Sequence, residues 1–152
     1  MKKLILKTFA RAIKHDWNTL YWAVDIHDTT LEATYDKDVL PTKFFPLAKE
    51  VLQRISKRKD SVLIMFTCSH APEIEQYLKF FKENEINFKY VNENPEVCNI
   101  PGLGCFDKKW YFNFLLEDKA FFQPERDWPE IKEALDEVDI LYSQGLKSKI
   151  KS

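Results

Sequence analysis

Thr19-Leu20-Tyr21-Trp22-Ala23-Val24-Asp25-Ile26 is an apolar and aromatic run that stops at an aspartate. It shows no alternation of polar and apolar residues, so it suits a strand covered on both faces, as strands of a parallel sheet are. The polar stretch His27-Asp28-Thr29-Thr30 follows at once. Two more runs repeat this design. Ser61 to Phe66 ends at Thr67, and Trp110 to Leu116 ends at Glu117-Asp118.

Helical spacing separates the runs. After a break at Pro41 to Pro46, Leu47, Ala48, Val51, Leu52 and Ile55 share one face until the basic cluster Lys57-Arg58-Lys59, which suits a helix C-terminus. Pro72 opens a second helix in which Ile74, Tyr77, Leu78 and Phe81 carry the face to about Asn84, and a short strand is predicted over 86–91. Residues 92–107 read as a loop, with two of the three glycines and two prolines. A last helix is predicted from about Trp128-Pro129 on Ile131, Ala134, Leu135 and Val138. At the other end, Ile5, Leu6, Phe9, Ala12 and Ile13 share a face, which predicts a helical extension over residues 1–17 packed on the core, with a basic docking helix as the alternative. The lysine-rich residues 145–152 read as a flexible basic tail. Strands alternating with helices predict an α/β fold, a three-layer α/β/α Rossmann-like arrangement around a mainly parallel sheet.

Composition bounds what such a fold can do. At 152 residues, one domain is expected over 1–152. Hydrophobic residues at 45% and charged ones at 31% describe a globular chain, and 23 basic against 24 acidic residues leave no field to attract nucleic acid or an anionic membrane. Cys68, Cys98 and Cys105 match neither a zinc site nor a disulfide framework, so a reducing, cytoplasmic setting is expected. Charges interrupt every apolar run near the N-terminus, so neither a signal peptide nor a membrane span is expected.

In parallel α/β sheets the functional crevice lies beyond the carboxyl ends of the strands. That rule selects Asp25 with His27 to Thr29, then Thr67, then Glu117 with Asp118, and Lys108 and Lys109 at the near side of the last strand can bring a cation. Carboxylates can hold a hard cation such as Mg²⁺, which prefers oxygen ligands. A hydroxyl and an ammonium can bind phosphate, and an aspartate, ionised at neutral pH, can attack phosphorus. Together they predict phosphoryl transfer, which needs chiefly positioning and charge stabilisation.

Four segments carry a family resemblance. Val24-Asp25-Ile26-His27-Asp28-Thr29 resembles motif I of the haloacid dehalogenase-like superfamily, Phe66-Thr67 motif II, Lys109 or Lys108 motif III, and Leu115-Leu116-Glu117-Asp118 motif IV. The resemblance implies that Asp25 is the nucleophile, Thr67 a phosphate donor, Lys109 or Lys108 the neutralising cation, and Asp118 with Glu117 the Mg²⁺ ligands beside Asp25. It also implies that Thr29 orders the substrate-binding loop and that residue 27 adds a ligand through its backbone carbonyl. His27 departs from the family, whose phosphatases carry a second aspartate there as the general acid; an imidazole can also supply a proton.

The spacings between Thr29, Thr67 and Lys109 leave no room for the cap domains of the family, so an uncapped crevice open to a large phosphorylated substrate is implied. The expected activity is therefore Mg²⁺-dependent phosphomonoester hydrolysis through an aspartyl-phosphate at Asp25. The alternatives are a catalytically weak domain that binds a phosphorylated or protein partner, and a receiver-like phosphoacceptor, which fits the motif order less well.

Overall fold

The computed structural model describes residues 1–36, 39–102 and 104–144. The basic tail expected over 145–152 lies outside the described residues. Four parallel strands, β1 (Leu20–Val24), β2 (Ser61–Met65), β3 (Phe88–Val91) and β4 (Phe114–Leu116), form one sheet in the order β3-β2-β1-β4. Four helices accompany them: α1 (Lys2–Lys14), α2 (Ala48–Lys57), α3 (Ala71–Glu83) and α4 (Pro124–Ser143). The α/β fold with a parallel sheet and no cap is as the sequence predicts. None of the described helices is long and apolar enough to cross a membrane.

Alternation along β1 divides the sheet into two unlike faces. Leu20, Trp22 and Val24 join Leu63, Met65, Phe88, Phe114 and Leu116 in one core cluster, to which all four helices contribute. Trp22 is fully buried and stacks on Phe114 with ring centroids 3.8 Å apart, and Phe9 of α1 lies 6.4 Å from Trp22. Tyr21, Ala23 and Ile64 point the other way and are buried outside that cluster. Their face meets the segment between β3 and β4, where Tyr111 packs edge-on against Tyr21 and Glu96 accepts the Tyr21 hydroxyl. Where a three-layer arrangement predicts a second layer of helices, the described residues place a loop.

Two further elements differ from the sequence reading. The predicted run over 110–116 is a strand only at Phe114–Leu116. Asn113 ends it: its side-chain oxygen accepts the Tyr21 N–H at 2.8 Å, the place of a ladder carbonyl, and its own N–H donates to the Tyr21 carbonyl at 2.9 Å. Helix α4 starts at Pro124, four residues before Trp128, because a proline at the first helical position needs no N–H partner and Asp127 accepts the Gln123 N–H at 2.8 Å. Pro129 is therefore inside the helix.

Truncating the ring at the centre of the core has a defined cost. Trp22→Ala is expected to lower unfolding free energy by about 3–5 kcal/mol in urea titrations. Leu4→Lys, on the 63% exposed Leu4 of α1, is expected to stay within about 0.5 kcal/mol of the native chain.

Candidate active site

The ladder that joins β1 to β4 continues one residue past the strand, with the Asp25 N–H donating to the Leu116 carbonyl at 2.9 Å. Asp25 is thus set beside Glu117 and Asp118 by backbone pairing alone. One carboxylate oxygen from each of the three lies within 4.8 Å of the others. An all-oxygen set of this kind could hold a hard cation, which prefers carboxylate ligands.

A buried clamp holds the acids together. The Thr29 hydroxyl accepts the Asp118 N–H at 3.0 Å and donates to the Asp25 carboxylate. Its carbonyl accepts the indole N–H of Trp128 at 2.8 Å, which ties the clamp to α4. Thr29 is 0% exposed, and its hydroxyl holds the acids in position. The Thr30 hydroxyl donates to the Asp25 carbonyl at 2.7 Å, closing the turn from below.

Three carboxylates this close cannot all be ionised cheaply. Burial, then the charge of Glu117, pushes Asp25 up to about 7, against the pull of the Ile26 N–H and the Thr29 hydroxyl. Burial and its hydrogen bond with Asp118 also raise Glu117. Asp118 is drawn below the usual carboxylate range by Lys119 and Glu117, against the effect of burial. Lys119, whose ammonium pairs with Asp118, is the cation the structure sets on the cluster.

The other expected residues gather around this point to different degrees. Thr67 is buried after β2; its hydroxyl donates to Ser69 Oγ and accepts the Ser69 N–H, while Asn92 accepts the Thr67 N–H and donates to its carbonyl. Lys108 and Lys109 are exposed in a bend and form no ion pair among the described residues. Trp110, next to Lys109, packs 5.9 Å from Phe66, the residue before Thr67. That contact puts the lysine pair at the carboxyl end of the sheet, and the chain then descends past Tyr21 to enter β4.

The His27 imidazole is not part of the acid cluster. Its Nε2 lies 2.7 Å from the Tyr77 hydroxyl of α3, which leaves Nδ1 as the nitrogen able to face a substrate. His27 pairs with Leu31 in an isolated bridge whose hydrogen bonds run to the Ile26 and Leu31 carbonyls, so the bridge does not consume the His27 carbonyl. Asp28, at φ 53°, takes the Ala33 N–H and the Tyr35 hydroxyl and so organises the following loop instead of joining the acids.

Sequence reasoning missed Lys119, Tyr77, Asn92 and Trp128. Only Lys119 had a local signal, its adjacency to the acidic pair. Tyr77 was legible as one more apolar residue of a helical face. A cleft of about 680 Å³ lies at the opposite end of the sheet around Arg54, Arg58 and Asp60. Its guanidinium groups are already paired with Asp60, Asp136 and Asp139. Compared with family models, curated proteins and solved structures, the chain matches none.

Two outcomes are expected from this electrostatic arrangement. Because folding raises the Asp25 pKa, the metal-free native state binds more protons than the unfolded chain between about pH 4 and 7, and stability falls as pH rises through that window. Asp25→Asn removes this decline, read as a flatter plot of unfolding free energy against pH. Mg²⁺ at 100 times its Kd is expected to add about 2.7 kcal/mol to the native chain at pH 8 and little to Asp118→Asn, measured by thermal melts with and without EDTA.

Proposed function

We propose that the chain is a Mg²⁺-dependent phosphomonoester hydrolase of the haloacid dehalogenase-like type, uncapped, that works through an aspartyl-phosphate on Asp25. The observation that carries this reading is the meeting of Asp25, Glu117 and Asp118 within 4.8 Å at the carboxyl ends of two adjacent parallel strands. The order of the four sequence motifs adds to it. Asp25, Glu117 and Asp118 would hold Mg²⁺, with the His27 carbonyl as a further oxygen. When bound, the ion supplies positive charge that keeps the acids ionised and neutralises phosphate.

The residues of the chain divide the work. An Asp25 oxygen attacks phosphorus, a P–O bond to the leaving group breaks, and the departing oxygen takes a proton from the protonated His27 imidazole, leaving the ring neutral. Water then attacks phosphorus, gives a proton back to the His27 ring, and the Asp25–phosphate bond breaks, releasing inorganic phosphate. Thr67 donates to a phosphoryl oxygen once its hydroxyl turns from Ser69. Lys109 or Lys108 adds the cation, and Lys119 tempers the acids through its pairing with Asp118. The Tyr77 contact favours a second reading, because a histidine held by a neighbouring hydroxyl is a slower acid. On that reading the domain binds a phosphorylated partner and turns over weakly.

p-Nitrophenyl phosphate separates the two. With Mg²⁺ the native chain is expected to release nitrophenol, EDTA to stop it, and Asp25→Asn to lower kcat at least 1,000-fold while leaving the fold intact by circular dichroism. An inert native chain in which His27→Asp gains at least tenfold would support the binding domain instead. Activity unchanged in Asp25→Asn would overturn the hydrolase reading.

A further inference from the structure

Helix α1 has two sides with different fates. Ile5, Phe9 and Ala12 are buried against the core, as the predicted core-packed extension requires. At 3.6 residues per turn the opposite side carries Lys3, Lys7, Arg11 and Lys14, all exposed, in a sector of about 80° that runs about 16 Å along the axis. The helix contains no acidic residue. The basic docking helix set out above as an alternative is thus the outer side of the same element.

The fold leaves these four cations over. The acids that α4 brings to α1 are engaged elsewhere: Glu130 pairs with the N-terminal ammonium at 2.6 Å, and Glu133 and Glu137 pair with Lys2 at 3.2 and 2.7 Å. Among the described residues no ion pair reaches Lys3, Lys7, Arg11 or Lys14. The remaining residues hold a single acidic side chain, Asp38, and Asp36 and Val39, which flank 37–38, line a cleft against Glu73, Gln76 and Tyr77 of α3. The near balance of 23 basic and 24 acidic residues belongs to the whole chain, and at 0.1 M salt a charge is felt over only about 10 Å, so the ridge acts as a local positive field.

The shape of the ridge selects a partner. The apolar side of α1 is spent on the core, Ala10 is the one apolar residue within the sector, and Leu4, 63% exposed, lies at its margin. The ridge therefore has no ring to anchor a protein interface or to stack on unpaired bases, and no apolar face to sink into a bilayer. A flat anionic surface would also meet Glu133 and Glu137, whose side chains are 62% and 47% exposed beside Lys2. A narrow polyanion touches the ridge alone. Lys3, Lys7 and Arg11 recur at about 6 Å of rise, and a nucleic-acid strand presents a phosphate for about every 3.4 Å of its axis, so each long side chain finds a phosphate whatever the base sequence.

We propose that the outer face of α1 docks, without sequence preference, on the phosphate backbone of duplex nucleic acid. This stands apart from the hydrolase reading and needs no chemistry at Asp25. Four neutralised phosphates correspond to a slope of about −3.6 in the logarithm of the binding constant against the logarithm of salt concentration, which is about a hundredfold loss of affinity between 50 and 200 mM KCl.

Fluorescence anisotropy of a fluorescein-labelled 20-base-pair DNA, titrated with the full chain in EDTA so that no metal bridges the acids to phosphate, reads both quantities. Saturable binding at 50 mM KCl with that salt slope is expected. Lys7→Glu with Arg11→Glu is expected to weaken it at least tenfold and to halve the slope. Lys7→Gln with Arg11→Gln, a milder change should reversed charges disturb the helix, is expected to weaken it at least threefold. Lys49→Glu with Lys79→Glu, the same change of net charge on exposed positions of α2 and α3, is expected to leave affinity within twofold. No binding at 50 mM KCl, equal weakening by the α1 pair and the α2 and α3 pair, or tighter binding to phosphatidylserine vesicles than to the duplex would overturn the proposal.

Discussion

Repulsion among Asp25, Glu117 and Asp118 is the constraint around which the carboxyl end of this molecule is arranged. Carboxylates within 4.8 Å of one another oppose folding unless a proton or a cation intervenes. Strand pairing imposes the contact: Val24 lies opposite Leu116 in the ladder, so the residues that follow each strand are forced to one place. Thr29 then ties the two strand ends together. Its hydroxyl binds the segments that follow β1 and β4, and its carbonyl is fixed from α4 by the indole of Trp128. The core supplies what this arrangement costs, since the rings of Trp22, Phe114 and Phe9 close the sheet one layer below.

Charge is distributed unequally between the two ends of the sheet. At the amino end, Arg58 is largely buried and pairs with Asp60 and Asp139, Arg54 takes Asp136 and Asp139, and the Tyr142 hydroxyl donates to Asp60. Both guanidinium groups there are matched by acids, and that of Arg58 also lies over the rings of Phe9 and Tyr142. At the carboxyl end three acids share Lys119. Matched pairs fix a geometry, whereas an excess of one sign sets up an attraction for an ion from outside.

What the sequence disclosed was whatever one chain segment determines by itself. The runs at Leu20–Val24 and Ser61–Met65, the helical faces and the acids after the strands follow from local periodicity, and a parallel sheet then brings distant strand ends together without further information. What stayed hidden depends on contacts with no period. Asn113 shortens its strand because its side chain replaces a carbonyl across 92 residues, and the apolar run around it reads identically either way. Tyr77 belongs to the same helical stripe as Phe81, and only the path of the chain makes it a partner for His27. The segment that covers the second face of the sheet has aromatic residues but no helical spacing, so alternation of elements suggested a layer of helices where Tyr111 and Glu96 serve.

On the hydrolase reading an uncapped site would have to exclude water by other means, because phosphoryl transfer gains from a dry, low-dielectric surrounding. A moving lid is a poor candidate for the loop after β1, since the Leu31–Phe44 bridge and the backbone bonds from Glu32 to Lys43 and from Phe45 to Thr30 fasten its two ends to each other. A fastened loop acts as a wall. With that wall fixed and α3 opposite, the cleft beside His27 is bounded on two sides by elements that the core itself holds in place.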